Sequence, residues 1–215
     1  MSIIGSRVAV VSLGASCQTA RQIRLHHALL SARLGDAMVP ASLPLDWMFA
    51  PPSAAARLLR GPVRVPDGVG ELVPAQRPFW PRHGAWLWHD EIPGPDDFAA
   101  MRARMARRWD RMLALRGLER RVFVVSNTQN NLAKVEAIAP QRLDFRLTAQ
   151  RMRAVADAVS AVFGPAGNEL LFVAYASRLG RDARDAGFPL VVLEPDATDH
   201  EGDAAQWGAA FAGLA

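Results

Sequence analysis

Four short runs of nearly unbroken apolar character punctuate the chain, at residues 7–13 (RVAVVSL), 121–125 (RVFVV), 170–175 (LLFVAY) and 189–193 (PLVVL). A run without polar alternation reads as a strand buried on both faces, which is the habit of a parallel sheet. Between these runs the period changes to that of helices. Residues 17–34 put Ala20, Ile23, Leu30 and Leu34 on one face, and residues 148–163 put Met152, Val155, Val159 and Val162 behind Thr148 as a candidate N-cap. A third helical stripe runs through Phe98, Met101, Met105, Trp109, Met112 and Leu113. This order predicts a three-layer α/β domain, a mostly parallel sheet with flanking helices joined by right-handed crossovers.

One segment breaks the alternation. Residues 36–95 hold Pro40, Pro44, Pro51, Pro52, Pro62, Pro66, Pro74, Pro78 and Pro81 together with Trp47, Trp80, Trp86 and Trp88. The aromatics give this insert something to bury, so it reads as an ordered cap over the carboxyl edge of the sheet rather than as a linker. No internal repeat is visible, and 215 residues suit a single α/β domain spanning 1–215 with the insert inside it.

Composition adds limits. Half of the residues are hydrophobic and 21% are charged, and the longest apolar runs fall far short of the roughly 18 residues that span a bilayer. Met1–Arg7 shows no basic segment followed by an apolar stretch and a cleavage site, so a cytoplasmic location is expected. The formal net charge of +4 comes almost wholly from arginine, since Lys134 is the single lysine. The arginines between Arg102 and Arg121 lie along the third helical stripe and read as its solvated outer face, with no nucleic-acid partner implied. A single cysteine forms no internal disulfide and excludes paired-cysteine zinc and redox motifs, and no metal site is expected.

That cysteine, Cys17, follows the first strand and the turn Ser12-Leu13-Gly14-Ala15-Ser16 at the start of a helix. Helix-start N–H groups stabilise an anion, so a thiol placed there is expected to ionise more easily than a free cysteine. In open parallel sheets ligands bind beyond the carboxyl ends of the strands. The residues there are Gly14, Ser16, Cys17 and Gln18 after the first run and Ser126, Asn127, Gln129, Asn130 and Asn131 after the second. Ser177 and Arg178 follow the third, and Asp196, Asp199 and His200 the fourth. A thiolate nucleophile needs an adjacent base and an oxyanion needs N–H donors. Asn127 could supply a donor or orient a histidine. His26 and His27 sit two to three turns along the helix of Cys17, which leaves His83, His89 and His200 as candidate bases. Asp46, beside Trp47, reads either as a structural carboxylate that caps the helix starting at Ser53 or accepts from loop amides, or as a catalytic one.

The stretch from Ser12 to Arg24, then Leu43-Pro44-Leu45-Asp46-Trp47-Met48, Trp88-His89-Asp90 and Trp207, resembles a bacterial domain family of unknown function described as papain-like cysteine peptidases. That family's pattern is Ser-Leu-Gly-x-x-Cys, then Pro-Phe-Asp-Trp, then His-Asp before an arginine-rich helix. The resemblance implies Cys17 as nucleophile, His89 as its partner, and Asp46 and Asp90 as orienting carboxylates. Leu45 departs from the family's Phe, and Ser126-Asn127 from an arginine common after the strand. Cys17-Gln18 is also similar to the Gly-Asn-Cys-Gln of capsular polysaccharide acetyltransferases, which would imply a coenzyme A thioester donor. The order Cys17, Asn127, Asp196, His200 resembles SGNH-type hydrolases with cysteine in place of serine. The expected function is therefore acyl transfer from a small-molecule, glycan or peptide substrate through a Cys-His dyad without a resident cofactor. The alternatives are an acyl-CoA-dependent O-acetyltransferase and a non-catalytic glycan- or nucleotide-binding module.

Overall fold

The computed structural model describes residues 8–35, 37–40, 42–74, 77–196 and 200–214. The first apolar run forms β1 (Val8–Ser12), followed by α1 (Cys17–Leu25) and α2 (His27–Leu34). The insert contributes a 3-10 turn at Pro44–Trp47, α3 (Pro52–Arg60) and a hairpin of β2 (Phe79–Trp80) and β3 (Ala85–Trp86). Then come α4 (Pro95–Ala114), β4 (Arg120–Ser126), α5 (Leu132–Ala137), α6 (Ala149–Phe163), β5 (Asn168–Tyr175), β6 (Leu190–Leu193) and α7 (Ala204–Ala212).

The four expected strands form one sheet in the order β1-β4-β5-β6, and each neighbouring pair is parallel. Successive residues alternate between two cores, which is why the runs lack polar positions. Val8, Val10, Val122, Val124, Leu171 and Val173 pack against Ile23, Leu30, Leu34, Trp207 and Phe211 of α1, α2 and α7. Ala9, Val11, Phe123, Val125, Phe172 and Ala174 face α3, α4 and α6 through Leu58, Met105, Trp109, Met152, Val155 and Val159. Thr148 caps α6 as expected, accepting from the N–H of Arg151. Among the described residues no helix is long and apolar enough to cross a membrane.

Part of the insert caps the carboxyl edge. Phe49, Phe79 and Trp86 cluster with Ala15 beyond β1 and with Leu132, Val135 and Phe145 beyond β4. The rest of it, α3, belongs to the layer under the sheet, where Ala54, Ala55, Leu58 and Leu59 are fully buried.

Two expectations change in detail. The helix over 17–34 breaks at His26, whose φ is −98°. There the ring nitrogens bridge the carbonyl oxygens of Gln22 and of Ala204 at the start of α7, each at 2.9 Å. The arginines are not one solvated helical face. Arg104 pairs with buried Asp90 at 2.8 Å, and Arg111 donates to the Ser42 carbonyl at 2.7 Å. Arg108 lies over the Trp47 ring at 4.6 Å. Arg120 and Arg121 open β4 instead, and Arg121 is buried, donating to Asn168 Oδ1 and to the Leu118 and Ala166 carbonyls.

Candidate active site

The chain leaves β1 toward the face covered by α1 and leaves β4 toward the face covered by α6. In open parallel sheets ligands bind beyond the carboxyl ends of the strands. Cys17 stands just beyond that end of β1. Its placement follows from the turn before it: Leu13 donates to the Val124 carbonyl at 2.8 Å, Ala15 to that of Ser126 at 3.0 Å, and Ala50 of the insert to that of Ala15 at 3.1 Å. Ser16 caps α1 through its hydroxyl, which accepts from the Gln18 N–H. Gly14 is required by close approach, because a Cβ at this position would lie 1.9 Å from Thr19 Oγ1. Thr19 in turn shares a hydrogen bond with Ser126 at the end of β4.

Cys17 is half-buried and lines an open cleft of about 530 Å³ with Gln18, Arg21, Arg24, Leu25, His200 and Glu201. The wall that carries His200 is held by α1 itself. Gln18 Nε2 donates to the His200 carbonyl at 3.0 Å, and Gln22 Nε2 donates to those of Glu201 and Gly202 at 2.7 and 3.0 Å. Gln18 Oε1 accepts from Thr128 Oγ1 at 2.6 Å, which ties the same side chain to the segment after β4. Arg21 spans the cleft to Glu201, and Arg24 Nη1 lies 3.6 Å from Asp46 Oδ2.

The thiol is the reverse of what its position predicts. Burial pushes the Cys17 pKa up, and the lowering effects of its own backbone N–H and of Arg24 do not offset it. The nearby carboxylates of Asp46 and Glu201 push it further. A neutral thiol in the resting site is the outcome, since helix-start stabilisation is outweighed by lost solvation.

The residues implied by the family resemblance form a neighbouring cluster. Asp46 is buried and accepts from the Leu43 N–H at 2.9 Å, the loop-amide alternative read from the sequence, and it does not cap α3, whose N-cap is Pro51. Burial raises its pKa to about 6 against the pull of that N–H, Arg24 and Arg108. Trp47 Nε1 donates to Ser42 Oγ at 2.9 Å, and the His89 ring meets the Trp47 ring edge-on at 5.4 Å. His89 is solvent-exposed and does not line the cleft of Cys17. Partial burial of its ring lowers its pKa, aided by Arg77 and Arg108 and opposed by Asp90. Asp90 is committed to Arg104. His83 is buried edge-on to Trp80 at 4.3 Å, and burial lowers its pKa to about 4.

The remaining candidates divide in the same way. Asn127 is fully buried, and its amide donates to the carbonyls of Phe145 and Arg178 at 3.0 and 3.1 Å, so it braces the loops around it. The Asp196 N–H donates to the Tyr175 hydroxyl at 3.3 Å, and Asp199 lies outside the described residues. A second cleft, of about 430 Å³, opens beyond β5 between Glu136, Asp144, Arg142, Arg146 and Arg178. Among the described residues no group of three histidine, cysteine or carboxylate side chains is placed to hold a metal ion.

Sequence reasoning missed Gln22, Thr128 and the two cleft arginines. A signal was present: Gln18 and Gln22 are spaced i, i+4 on the buried side of α1, where polar residues need partners. Comparison with known protein families, curated proteins and solved structures finds no match for this chain.

Proposed function

We propose that the chain is a cysteine-dependent acyl-transfer enzyme in which Cys17 is the nucleophile and His200 the base. One observation carries the reading: Cys17 and His200 line the same cleft, in the segments that follow β1 and β6 at the carboxyl ends of the sheet. His89, the partner implied by the family resemblance, packs on Trp47 outside that cleft.

The resting thiol is protonated, so the chemistry runs by general-base catalysis rather than through a standing thiolate–imidazolium pair. As an ester, thioester or amide enters, the thiol proton passes to His200 and Sγ adds to the carbonyl carbon. The oxyanion that forms faces the first-turn amides of α1. Collapse expels the leaving group, which takes the proton from the imidazolium, and leaves an S-acyl Cys17. Water or an acceptor hydroxyl then adds to that acyl group, with His200 removing its proton. Hydrolase and acyltransferase differ only in this second acceptor.

The test is acylation of Cys17 by p-nitrophenyl acetate across pH 5–10 in the parent and in separate His200→Ala and His89→Ala variants. Loss of the near-neutral acylation in His200→Ala alone supports the pair as drawn, and loss in His89→Ala alone transfers the role to His89. A second reading, a binding module with an inert thiol, is favoured by the upward displacement of the thiol pKa. It gains if both variants react as the parent does and only at high pH.

A further inference from the structure

The cleft of Cys17 also carries information about what enters it. Cys17, Arg21 and Arg24 stand at i, i+4 and i+7 of α1 and line the cleft together, so they share one face of the helix. At 1.5 Å per residue the two arginines start about 6 and 10 Å along the axis from the thiol. Their side chains tilt toward the helix N-terminus, back toward the sulfur. The opposite wall supplies Glu201 and His200, and Glu201 is engaged by Arg21. That pair shows that the Arg21 guanidinium faces the cleft and holds a carboxylate there. Arg24 is ion-paired with buried Asp46 through Nη1 at 3.6 Å, longer than a normal hydrogen bond, and its side chain is 47% exposed. Among the described lining residues, two guanidinium groups thus stand with one carboxylate.

Resting on the acyl-transfer reading of this site, we infer that the acyl donor is anionic: it carries a carboxylate or phosphate group within about 10 Å of the carbonyl that Cys17 attacks, received by Arg24 and shared with Arg21. Guanidinium groups bind both anions in a bidentate fashion and stay charged at every working pH. The arginines stand on the helix that carries the nucleophile, so binding the anion sets the distance from charge to carbonyl.

The inference is tested with two disulfide reagents that differ in charge, the dianion 5,5′-dithiobis(2-nitrobenzoate) and neutral 2,2′-dithiodipyridine. At pH 9 the thiolate of Cys17 attacks either reagent, forming a mixed disulfide and expelling the aromatic thiolate, whether or not His200 acts as a base. The rate ratio of the two reagents, normalised to N-acetylcysteinamide, is expected to exceed one by roughly tenfold at low salt. It should fall toward one in 0.5 M NaCl and in Arg24→Gln, fall part-way in Arg21→Gln, and be largely retained in Arg24→Lys. A ratio near one that neither variant moves overturns the inference. So does a thiol that reacts with neither reagent in the folded protein, because the cleft then admits no substrate. Acylation of Cys17 by neutral p-nitrophenyl acetate, read by mass spectrometry, separates the two levels. A selective ratio without acylation leaves an anion-binding cleft and removes the enzyme, and acylation without selectivity leaves the enzyme and removes the anionic donor.

Discussion

Gln18 donates its side-chain amide to the main-chain carbonyl of His200, 3.0 Å away, so the helix that begins at the thiol also holds the turn that bears the imidazole. The same side chain accepts from Thr128. One residue thus joins the segments that follow β1, β4 and β6.

Gln18→Leu removes both bonds at nearly constant volume and is expected to destabilise the fold by about 1–3 kcal/mol, since it strands a buried hydroxyl and a carbonyl. Amide hydrogen exchange should accelerate at residues 200–202 more than in the central strands. Uniform exchange across the sheet, with the turn no faster than in the parent, would contradict this role.

Asp46 sets a pH dependence of stability. Its folded pKa of about 6 lies above the ordinary value of 3.8, so within this window the folded state binds more protons than the unfolded one. Stability therefore falls as pH rises from about 4 to about 6, and the penalty persists above that range. Asp46→Asn keeps an acceptor for Leu43 and carries no charge to bury. In urea denaturation it should match the parent near pH 4 and exceed it by about 1–3 kcal/mol at pH 7.5. A gap that does not change with pH would show that Asp46 stays ionised throughout.

Gly14 is fixed by contact rather than by dihedral angle. Gly14→Ala forces a methyl into Thr19, whose Oγ1 and Cβ would lie at 1.9 and 2.5 Å, and is expected to cost about 2–4 kcal/mol. Thr19→Ala in the same chain should recover only part of this loss, because the Cβ contact remains. Full additivity in the double-mutant cycle would place the clash elsewhere.

Adjacent arginines at the start of β4 should behave oppositely. Arg121 is 3% exposed and saturated by acceptors, so Arg121→Ala leaves orphaned carbonyls and is expected to cost about 2–4 kcal/mol. Arg120 forms a paired contact with Glu169 at the surface, and Arg120→Ala should cost about 1 kcal/mol or less. Comparing the two by thermal denaturation checks the contrast.

The layers were legible in the chain because a buried parallel strand and an amphipathic helix each impose a short-range period. β1, β4, β5 and β6 fall on the four apolar runs, and the stripe from Met101 to Met112 is the buried face of α4. Position after a strand also pointed to the crevice at Cys17. What periodicity does not encode is which of several loops meet. His200 shares the cleft with Cys17 because Gln18 and Gln22 bind carbonyls some 180 residues away, and no local pattern records that. The same holds for Arg121, which reads as part of a basic cluster and proves to be a buried strut. The expected ease of ionisation of Cys17 failed for a related reason: helix position is local, whereas desolvation is set by every wall of the cleft.

The two margins of the sheet are defended differently. Among the described residues Met38 meets the outer side of β1: Val10 donates to the Met38 carbonyl at 2.9 Å, and Met38 donates to that of Val8 at 2.8 Å. At the other margin β6 is only four residues long and follows Pro189, which has no N–H to offer. Among the described residues both borders of the sheet are short, so its valine-rich centre offers little template for cross-β aggregation with further copies of itself.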